Sequence, residues 1–251
     1  MKRFADKVAL VTGAGSGIGR AVTHRLLLEG GTVFAVDIDD GALKETAASV
    51  GSDAGDRLNL HVADVGDPDA CAAAVETCAH MLGRLDVLAN VAGIYRSAHT
   101  PDMSRQDYRR VMSVNLDGPF YLCQAGIPHL LEVDGNIVNV ASNSGIQGVP
   151  YSAAYSASKG GIIQLTRSLA VEFIKAPLRV NAVAPAGTNT NIAASAGFPA
   201  DMDPQLAGRM AGLRPLAEPE DVAALVAYLA SDEARAVTGA VYTIDNGITV
   251  S

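Results

Sequence analysis

Residues Val8 to Gly19 read V-A-L-V-T-G-A-G-S-G-I-G, an apolar run that leads into a glycine-rich turn. The first part, Val8 to Thr12, has the nearly continuous hydrophobicity of a strand buried on both faces. The residues from Gly17 to Gly30 predict a helix, so the turn lies between a strand and a helix. Glycines allow such a tight turn, and they let backbone N–H groups at the helix N-terminus approach a pyrophosphate. The segment therefore predicts the first strand–turn–helix unit of a dinucleotide-binding sheet.

The rest of the chain continues this alternation of short β-branched runs with Ala- and Leu-rich amphipathic segments. Further strands are predicted at residues 33–37, 58–63, 86–89, 136–141, 178–184 and 241–244. Further helices are predicted at residues 40–50, 67–82, 104–131, 153–175 and 219–230. With right-handed crossovers, this order predicts an α/β fold of the Rossmann type, a doubly wound seven-stranded parallel sheet with helices on both faces.

No segment has the length and composition of a linker, so residues 1–251 are expected to form a single dinucleotide-binding and catalytic domain. The segment at about 191–213 is the one of irregular composition. We expect it to form a mobile helical lid that carries substrate contacts. An ordinary surface loop is the alternative.

The composition argues against several classes of function. The formal net charge is −8 and the isoelectric point is about 5.0, which disfavours a nucleic-acid or anionic-membrane partner. No apolar run is long enough to span a membrane, and the N-terminus lacks the hydrophobic block of a signal peptide. The three cysteines show no C-x-x-C spacing and the five histidines no ligand spacing. We therefore expect no metal site, no disulfide framework and a cytoplasmic location.

Asp37 ends the second predicted strand and is the acidic residue expected downstream of the glycine turn. At that position it can accept hydrogen bonds from the adenosine ribose hydroxyls and repel the additional phosphate of NADP. No Arg or Lys is expected beside it, and Ser16 stands in the glycine turn where a basic residue could have been. We therefore expect NAD rather than NADP. A solvated loop carboxylate is the alternative.

Two further polar residues follow strands at the same predicted edge of the sheet. Asp64 ends the third strand, where its side chain could meet the adenine amino group. Asn90 starts the N-V-A-G turn that closes with Ala92 and Gly93, where small residues would let the backbone approach a cofactor. For either position alone, an ordinary turn residue is an equally good interpretation.

The segment from Ser142 to Lys159, S-N-S-G-I-Q-G-V-P-Y-S-A-A-Y-S-A-S-K, contains the candidate chemistry. If a helix begins near Ala153, Tyr155 and Lys159 lie one turn apart on the same face. A neighbouring ammonium favours the phenolate and lowers the pKa of a tyrosine from about 10. Ser142, on a separate element, could hold an alcohol or carbonyl oxygen against the phenol. This set suits proton transfer at a carbinol oxygen; a helix start with an unrelated Tyr and Lys is the alternative.

Asn115 lies inside a predicted helix, where asparagine is not favoured. A local bend would let its side chain or a freed backbone carbonyl hold a water that links Lys159 to solvent. A satisfied polar residue is the alternative.

Together these motifs resemble those of the short-chain dehydrogenase/reductase family, in its compact single-domain branch. The resemblance covers Lys7 to Gly247 and depends on T-G-x-x-x-G-x-G at Thr12 to Gly19, on Asn115, on Ser142 and on the Y-x-x-x-K pair. The chain departs from the family pattern in three turns. It has N-V-A-G for N-N-A-G, P-A-G for P-G after the sixth strand, and D-N-G for D-G-G near the C-terminus.

The resemblance implies a role for each candidate residue. Tyr155 would be the general acid/base and Ser142 would orient the reacting oxygen. Lys159 would lower the pKa of the tyrosine and bind the nicotinamide ribose, and Asn115 would hold the relay water. The predicted cofactor contacts are Gly13, Ser16, Gly17, Ile18, Gly19, Asp37, Ile38, Asp64, Val65, Asn90, Ala92, Gly93, Tyr155, Lys159, Pro185, Thr188 and Thr190. A homotetramer is also implied.

The expected reaction is reversible hydride transfer between NAD and a small-molecule secondary alcohol or ketone. One alternative is an NAD(P)H-dependent 3-oxoacyl thioester reductase, against which Asp37 counts. A second, remote alternative is a non-catalytic dinucleotide sensor, against which the intact Ser142, Tyr155 and Lys159 count.

Overall fold

The computed structural model describes residues 2–212 and 214–250. Within them, seven parallel strands form one sheet in the order β3-β2-β1-β4-β5-β6-β7. The strands are β1 (Val8–Thr12), β2 (Thr32–Asp37), β3 (Leu58–Val62), β4 (Val87–Asn90), β5 (Asn136–Val140), β6 (Arg179–Pro185) and β7 (Val241–Ile244). The helices are α1 (Gly17–Leu28), α2 (Asp40–Val50), α3 (Pro68–Leu82), α4 (Arg105–Met112), α5 (Gly118–Leu131), α6 (Ala153–Glu172), α7 (Pro204–Gly208) and α8 (Pro219–Ala230). The strand order reverses between β1 and β4, so the predicted doubly wound Rossmann-type fold is confirmed.

The sheet is covered on both faces, which explains its continuous apolar strands. In β1, Val11 packs into the core formed with α1 and α8, whereas Leu10 packs into the core formed with α3 and α5. Both side chains are fully buried. A strand with both faces buried needs apolar residues at every position, which is why no polar–apolar alternation marks these strands in the sequence.

The predicted helix over residues 104–131 is interrupted. α4 ends at Met112 and α5 begins at Gly118, and the residues between them form a π-helix, Ser113–Asp117. The N–H of Gly118 donates to the carbonyl of Ser113, five residues earlier. Such π segments are rare and often occur at functional sites. The prediction of one regular helix was wrong here, whereas the local irregularity expected around Asn115 is present.

The predicted lid contains a 3-10 turn at Asn191–Ser195 and the short helix α7. Hydrogen bonds join it to the body of the protein. The N–H of Ser97 donates to the carbonyl of Ala196 at 2.7 Å, and the N–H of Asp203 donates to the Tyr151 hydroxyl at 2.9 Å. Leu213, the predicted end of the lid, lies outside the described residues, as do Met1 and Ser251.

Among the residues that the structure covers, no helix is both long and apolar enough to cross a membrane. Cys71, Cys78 and Cys123 are free and buried. Burial raises the pKa of each thiol to about 12, so these cysteines are apolar core residues rather than reactive groups.

Candidate active site

A cleft of about 340 Å³ opens where β1, β2, β3 and β4 end. Parallel strands bring their carboxyl ends to one edge, so residues far apart in the chain converge there. The predicted cofactor contacts that line it are Gly13, Ser16, Gly17, Ile18, Gly19, Asp37, Ile38, Asp64, Val65, Ala92, Gly93 and Thr190. Its size lies within the usual range for small-molecule sites. Asn90, Tyr155, Lys159, Pro185 and Thr188, which were also predicted, are not among its lining residues.

The glycine turn is packed so closely that side chains would not fit. A Cβ added to Gly19 would lie 2.0 Å from the carbonyl oxygen of Gly13. Gly17 has a φ of +47°, and a Cβ on it would lie 3.0 Å from Cγ2 of Thr190. The turn therefore presents bare backbone toward the cleft, with Thr190 across from it. This cradle at the start of α1 fits the pyrophosphate of a dinucleotide.

Asp37 faces the glycine turn. Its Oδ2 accepts a hydrogen bond from the N–H of Gly15 at 2.9 Å, and its Oδ1 accepts one from the N–H of Asp39 at 3.1 Å. A Cβ on Gly15 would lie 2.9 Å from Oδ2, which accounts for the extra glycine in the turn. A carboxylate has about four acceptor positions, so both oxygens can still accept ribose hydroxyls.

Arg20 is a basic residue that contacts the glycine turn. Arg20 comes one turn after Ser16 on α1, and its guanidinium donates to the carbonyl of Gly15. It also donates to the Thr46 hydroxyl at 3.0 Å and forms an ion pair with Glu45 at 3.0 Å. Arg20 therefore ties the glycine turn to α2, and its acceptors hold it behind the turn. It is not a lining residue of the cleft.

Asp64 forms an ion pair with Arg110 across the cleft, with Nη1 and Oδ2 2.8 Å apart. The N–H of Gly66 donates to the other carboxylate oxygen at 2.8 Å. Burial opposes ionisation of Asp64, but hydrogen bonds from Arg110 and Gly66 outweigh it and hold the pKa of this carboxyl below its ordinary value. Sequence analysis missed Arg110, because nothing in the pattern of α4 indicates which of its arginines faces the sheet edge.

The turn after β4 is held by a threonine and not by the asparagine. The Thr12 hydroxyl accepts the N–H groups of Val91 at 3.0 Å and Ala92 at 3.1 Å. The Asn90 side chain points away into the core, where its amide donates to Oδ1 of Asn139 at 2.9 Å. The structure thus gives Asn90 a packing role. The motif T-G-x-x-x-G-x-G included Thr12, but nothing in the sequence indicated that its hydroxyl holds this turn.

Asn115 fixes the next part of this turn from the π-helix. Its Oδ1 accepts the N–H of Ile94 at 2.8 Å, and its Nδ2 donates to the carbonyl of Ile94 at 2.9 Å. The same amide nitrogen lies 3.2 Å from the Ser158 hydroxyl on α6. These contacts use both N–H groups of the side-chain amide and one of the two acceptor positions of its oxygen. The relay water expected here stays a prediction.

The Y-x-x-x-K pair lies on α6 as predicted. The Nζ of Lys159 lies 5.8 Å from the centre of the Tyr155 ring, and it donates to the carbonyl of Val140 at 2.7 Å. Ser142 follows β5, and its hydroxyl oxygen accepts the N–H of Ser144 at 3.2 Å. A Cβ on Gly93 would lie 3.4 Å from the Lys159 ammonium nitrogen. The lysine therefore borders the cleft behind Gly93, although it does not line it.

The pKa values of the pair differ from the sequence expectation. Burial raises the pKa of Tyr155 to about 12, and a hydrogen-bonding contribution from Ser142 opposes this rise without overcoming it. Burial likewise lowers the pKa of Lys159 to about 8. The predicted lowering of the tyrosine pKa by the lysine is absent. Tyr155 is half-buried and Lys159 is buried, and the cost of forming a charge in these surroundings dominates the pKa of each group. At neutral pH the phenol is protonated and the lysine is mostly charged.

Pro185 and Thr188 lie farther along the same edge. Pro185 is buried at the end of β6 and pairs with Ile244 of β7. The Thr188 hydroxyl donates to the carbonyl of Ala186 at 3.0 Å, and its backbone bridges to Ala217. Within the described residues, no group of His, Cys, Asp or Glu side chains is arranged to hold a metal ion.

A family model described as enoyl-(acyl carrier protein) reductase matches residues 13–249. The match includes the glycine turn, Asn115, Ser142 and the Y-x-x-x-K pair. The chain belongs to the short-chain dehydrogenase/reductase family.

Several proteins named as dehydrogenases match nearly the whole chain. Meso-2,3-butanediol dehydrogenase of Serratia marcescens is 38% identical over 249 residues, 99% of this chain and 97% of that protein. Cis-4-hydroxycyclohexanecarboxylate dehydrogenase of Sinomonas cyclohexanicum is 41% identical over 249 residues, 98% of each chain. The crystal structure of a short chain dehydrogenase from Mycobacterium paratuberculosis bound to NAD superimposes with a TM-score of 0.91 at 33% identity, covering 99% of this chain and 100% of that one.

Proposed function

We propose that this short-chain dehydrogenase/reductase interconverts a secondary alcohol and a ketone by hydride transfer with NAD, with Tyr155 as general acid/base. The observation that carries this proposal is the junction at Gly93. A Cβ there would lie 3.4 Å from both the Lys159 ammonium nitrogen and Oδ1 of Asn115, so the dinucleotide cleft and the proton-transfer residues meet at one backbone position. The two relatives above, named as dehydrogenases of a diol and of a hydroxycyclohexane acid, support the same reaction class.

NAD, when bound, supplies the acceptor for the hydride that leaves the carbinol carbon. The protein handles the proton. In the alcohol-forming direction the protonated Tyr155 hydroxyl donates to the ketone oxygen, and in the reverse direction the same oxygen accepts the alcohol proton. Ser142 orients the reacting oxygen beside the phenol. The Lys159 ammonium near the Tyr155 ring stabilises the negative charge that develops on the phenol oxygen as its proton leaves.

The preference for NAD over NADP follows from Asp37. Its carboxylate stands at the glycine turn, where a phosphate on the adenosine ribose would meet a like charge. Arg20 would not offset this charge, because the bonds of its Nε and Nη2 to Thr46, Glu45 and the carbonyl of Gly15 hold it outside the cleft lining. Ile38 lines the cleft with 58% of its surface exposed, which leaves an apolar side chain for the adenine ring.

The direct test is an absorbance screen at 340 nm with NAD and a panel of secondary alcohols. We expect NADH to form with at least one of them, and the corresponding ketone to consume NADH. The absence of turnover with every secondary alcohol and ketone tested, while NADH still binds, would reject the proposal in favour of a non-catalytic dinucleotide sensor.

The second candidate is a 3-oxoacyl thioester reductase, which is favoured by a relative named 3-oxoacyl-[acyl-carrier-protein] reductase of Thermotoga maritima, 39% identical over 257 residues. It would share the proton-transfer residues and differ in substrate and usual cofactor. Comparing acetoacetyl thioester reduction with NADH and with NADPH separates the two. We expect simple secondary alcohols with NAD to give the higher kcat/KM.

We also propose that the protein is a homotetramer that acts in the cytoplasm on small molecules, without nucleic-acid or membrane partners. The helices α4 and α5 expose Tyr108 and Phe120, each at 46%, which supports a subunit contact through these helices. Light scattering of the purified protein tests the tetramer, and a monomer mass would reject it.

A further inference from the structure

Tyr95 lies between the proposed general acid/base and the lid. It directly follows Ile94, whose backbone Asn115 holds on both sides. The ring of Tyr95 meets that of Tyr155 edge to face, with centroids 4.8 Å apart and an interplanar angle of 67°. It meets the ring of Phe198 in the same manner, with centroids 5.7 Å apart. Three aromatic rings therefore run in a row from Tyr155 to the lid.

The position of Tyr95 is fixed at both ends of the residue. Its carbonyl accepts a hydrogen bond from the Arg96 guanidinium at 3.0 Å. Its hydroxyl lies 2.6 Å from Oγ of Ser152, which is fully buried. The Ser152 hydroxyl donates to the carbonyl of Pro150 at 3.0 Å, so its single proton is used and the Tyr95 hydroxyl must be the donor between them. Tyr95 therefore has no donor left for a substrate, and it offers its ring as apolar contact surface.

Phe198 brings the other ring from the lid. It remains 41% exposed although it is large and apolar, and it lies two residues after Ala196, where the lid is hydrogen-bonded to Ser97. Exposed aromatic surface beside a catalytic group is typical of a ligand-binding surface. The charged groups nearby already have partners. Arg96 pairs with Asp107 at 3.7 Å, and His99 pairs with Asp201 at 3.0 Å.

We propose that Tyr95 and Phe198 form an aromatic wall of the alcohol site, and that Tyr95 determines specificity for ring-containing secondary alcohols over short acyclic ones. This inference rests on the proposed function. A saturated ring presents a broad C–H surface to the aromatic rings. A four-carbon diol contacts less of this wall, and its second hydroxyl stays hydrated. Because the binding depends on contact area, removal of the Tyr95 ring should weaken binding of the larger substrate more than binding of the smaller one.

The test compares cyclohexanol with meso-2,3-butanediol as substrates of the full-length enzyme, saturated with NAD. Tyr95→Ala is expected to lower kcat/KM for cyclohexanol by about tenfold, mainly through KM, and to change that for the diol by less than about twofold. Tyr95→Phe keeps the ring and loses only the hydroxyl bond to Ser152, so it should retain most of the cyclohexanol activity. Phe198→Ala should act in the same direction as Tyr95→Ala.

Tyr95→Leu provides a check on folding, since it keeps bulk at this position. It should bind NADH like the wild type and still show the selective rise in KM for cyclohexanol. Equal losses with both substrates, or no loss with either, would overturn the assignment of Tyr95. If the wild-type enzyme reduces NAD with neither these nor any other secondary alcohol, the proposed function itself fails, which is a separate result.

Discussion

Asn115 pairs with both backbone groups of Ile94, accepting its N–H at 2.8 Å and donating to its carbonyl at 2.9 Å. Asn115 belongs to the π-helix between α4 and α5, and Ile94 follows the turn after β4. The pair thus ties an irregular helix to the backbone that separates the dinucleotide cleft from Lys159. The π-helix therefore has a structural role. It places the side-chain amide of Asn115 where it can hydrogen-bond a backbone segment that has no strand partner.

Replacing Asn115 by Leu tests this tie. The substitution keeps the size of the side chain but leaves a partly buried N–H and carbonyl of Ile94 unpaired, at a cost of about 1 to 3 kcal/mol for each. We expect the free energy of unfolding to fall by about 2 to 4 kcal/mol and kcat to fall with it. Urea denaturation and steady-state rates measure the two effects. Gln106→Leu, which replaces an exposed amide side chain on α4, is the control and should stay within about 0.5 kcal/mol of the wild type. Equal unfolding midpoints for the two variants would contradict this role.

The glycine turn predicts a second result. In Gly19→Ala the added methyl would lie 2.0 Å from the carbonyl oxygen of Gly13, so the turn or the start of α1 must move. We expect affinity for NADH to fall at least tenfold and the melting temperature to drop. Gly208→Ala, on α7, meets nothing within 4 Å and is the control. NADH fluorescence titration and thermal melts follow both variants, and NADH affinity like that of the wild type in Gly19→Ala would show that the turn is not the pyrophosphate site.

The position of Asp37 predicts the relative affinity for NADH and NADPH. Removing its charge in Asp37→Ser should raise Kd for NADH and lower Kd for NADPH, because the ribose loses an acceptor and the extra phosphate loses a repelling neighbour. The ratio of the two constants should shift by at least tenfold. Asp40→Ser removes the same formal charge from the exposed start of α2 and serves as the control. A ratio that moves equally in both variants would mean that the general negative field, and not Asp37 itself, sets the preference.

The burial of Lys159 predicts that the free energy of unfolding depends on pH. Burial lowers its pKa from the ordinary 10.5 to about 8 in the folded protein, a difference of about 3 kcal/mol. Below pH 8 the folded state must hold a buried charge, so Lys159→Met should be the more stable protein by up to this amount, while losing activity. Between pH 8 and 10.5 the unfolded chain binds more protons than the folded one, so wild-type stability rises relative to the variant. The gap should close by about pH 10.5.

Urea denaturation at several pH values measures this gap. Lys175→Met, at an exposed lysine just after α6, controls for the loss of one positive charge. A gap between wild type and Lys159→Met that does not change with pH would contradict a buried, destabilised ammonium.

Much of the fold was predictable, because strands buried on both faces and helices that begin and end at Gly, Pro or Asp leave strong local signals. β7 and α8 were predicted with the bounds that the structure has. The π-helix itself was not, because the sequence of Ser113–Asp117 predicts a local bend at Asn115 but not the form that the bend takes. Its register depends on the bond between Asn115 and Ile94, which is a contact between distant segments and leaves no periodic signal.

Some residues of the candidate site were likewise predictable from the sequence, and others were not. The positions of the glycines, Asp37 and the Y-x-x-x-K pair follow from spacing within one strand–turn–helix unit or one helix. Arg110 and Tyr95 were missed because their importance comes from what they face across the sheet edge, Asp64 and Tyr155. The pKa of Tyr155 was expected to fall, and it rises, because the depth of burial of a side chain cannot be read from its neighbours in sequence.

Proton transfer by the Tyr155 hydroxyl is the step on which the proposed reaction depends most. The decisive measurement is kcat for NAD-linked alcohol oxidation by Tyr155→Phe, with NADH binding followed by fluorescence in the same preparation. We predict that kcat falls at least a thousandfold while Kd for NADH stays within about twofold of the wild type. A variant that binds NADH and still turns over at the wild-type rate would contradict the central claim.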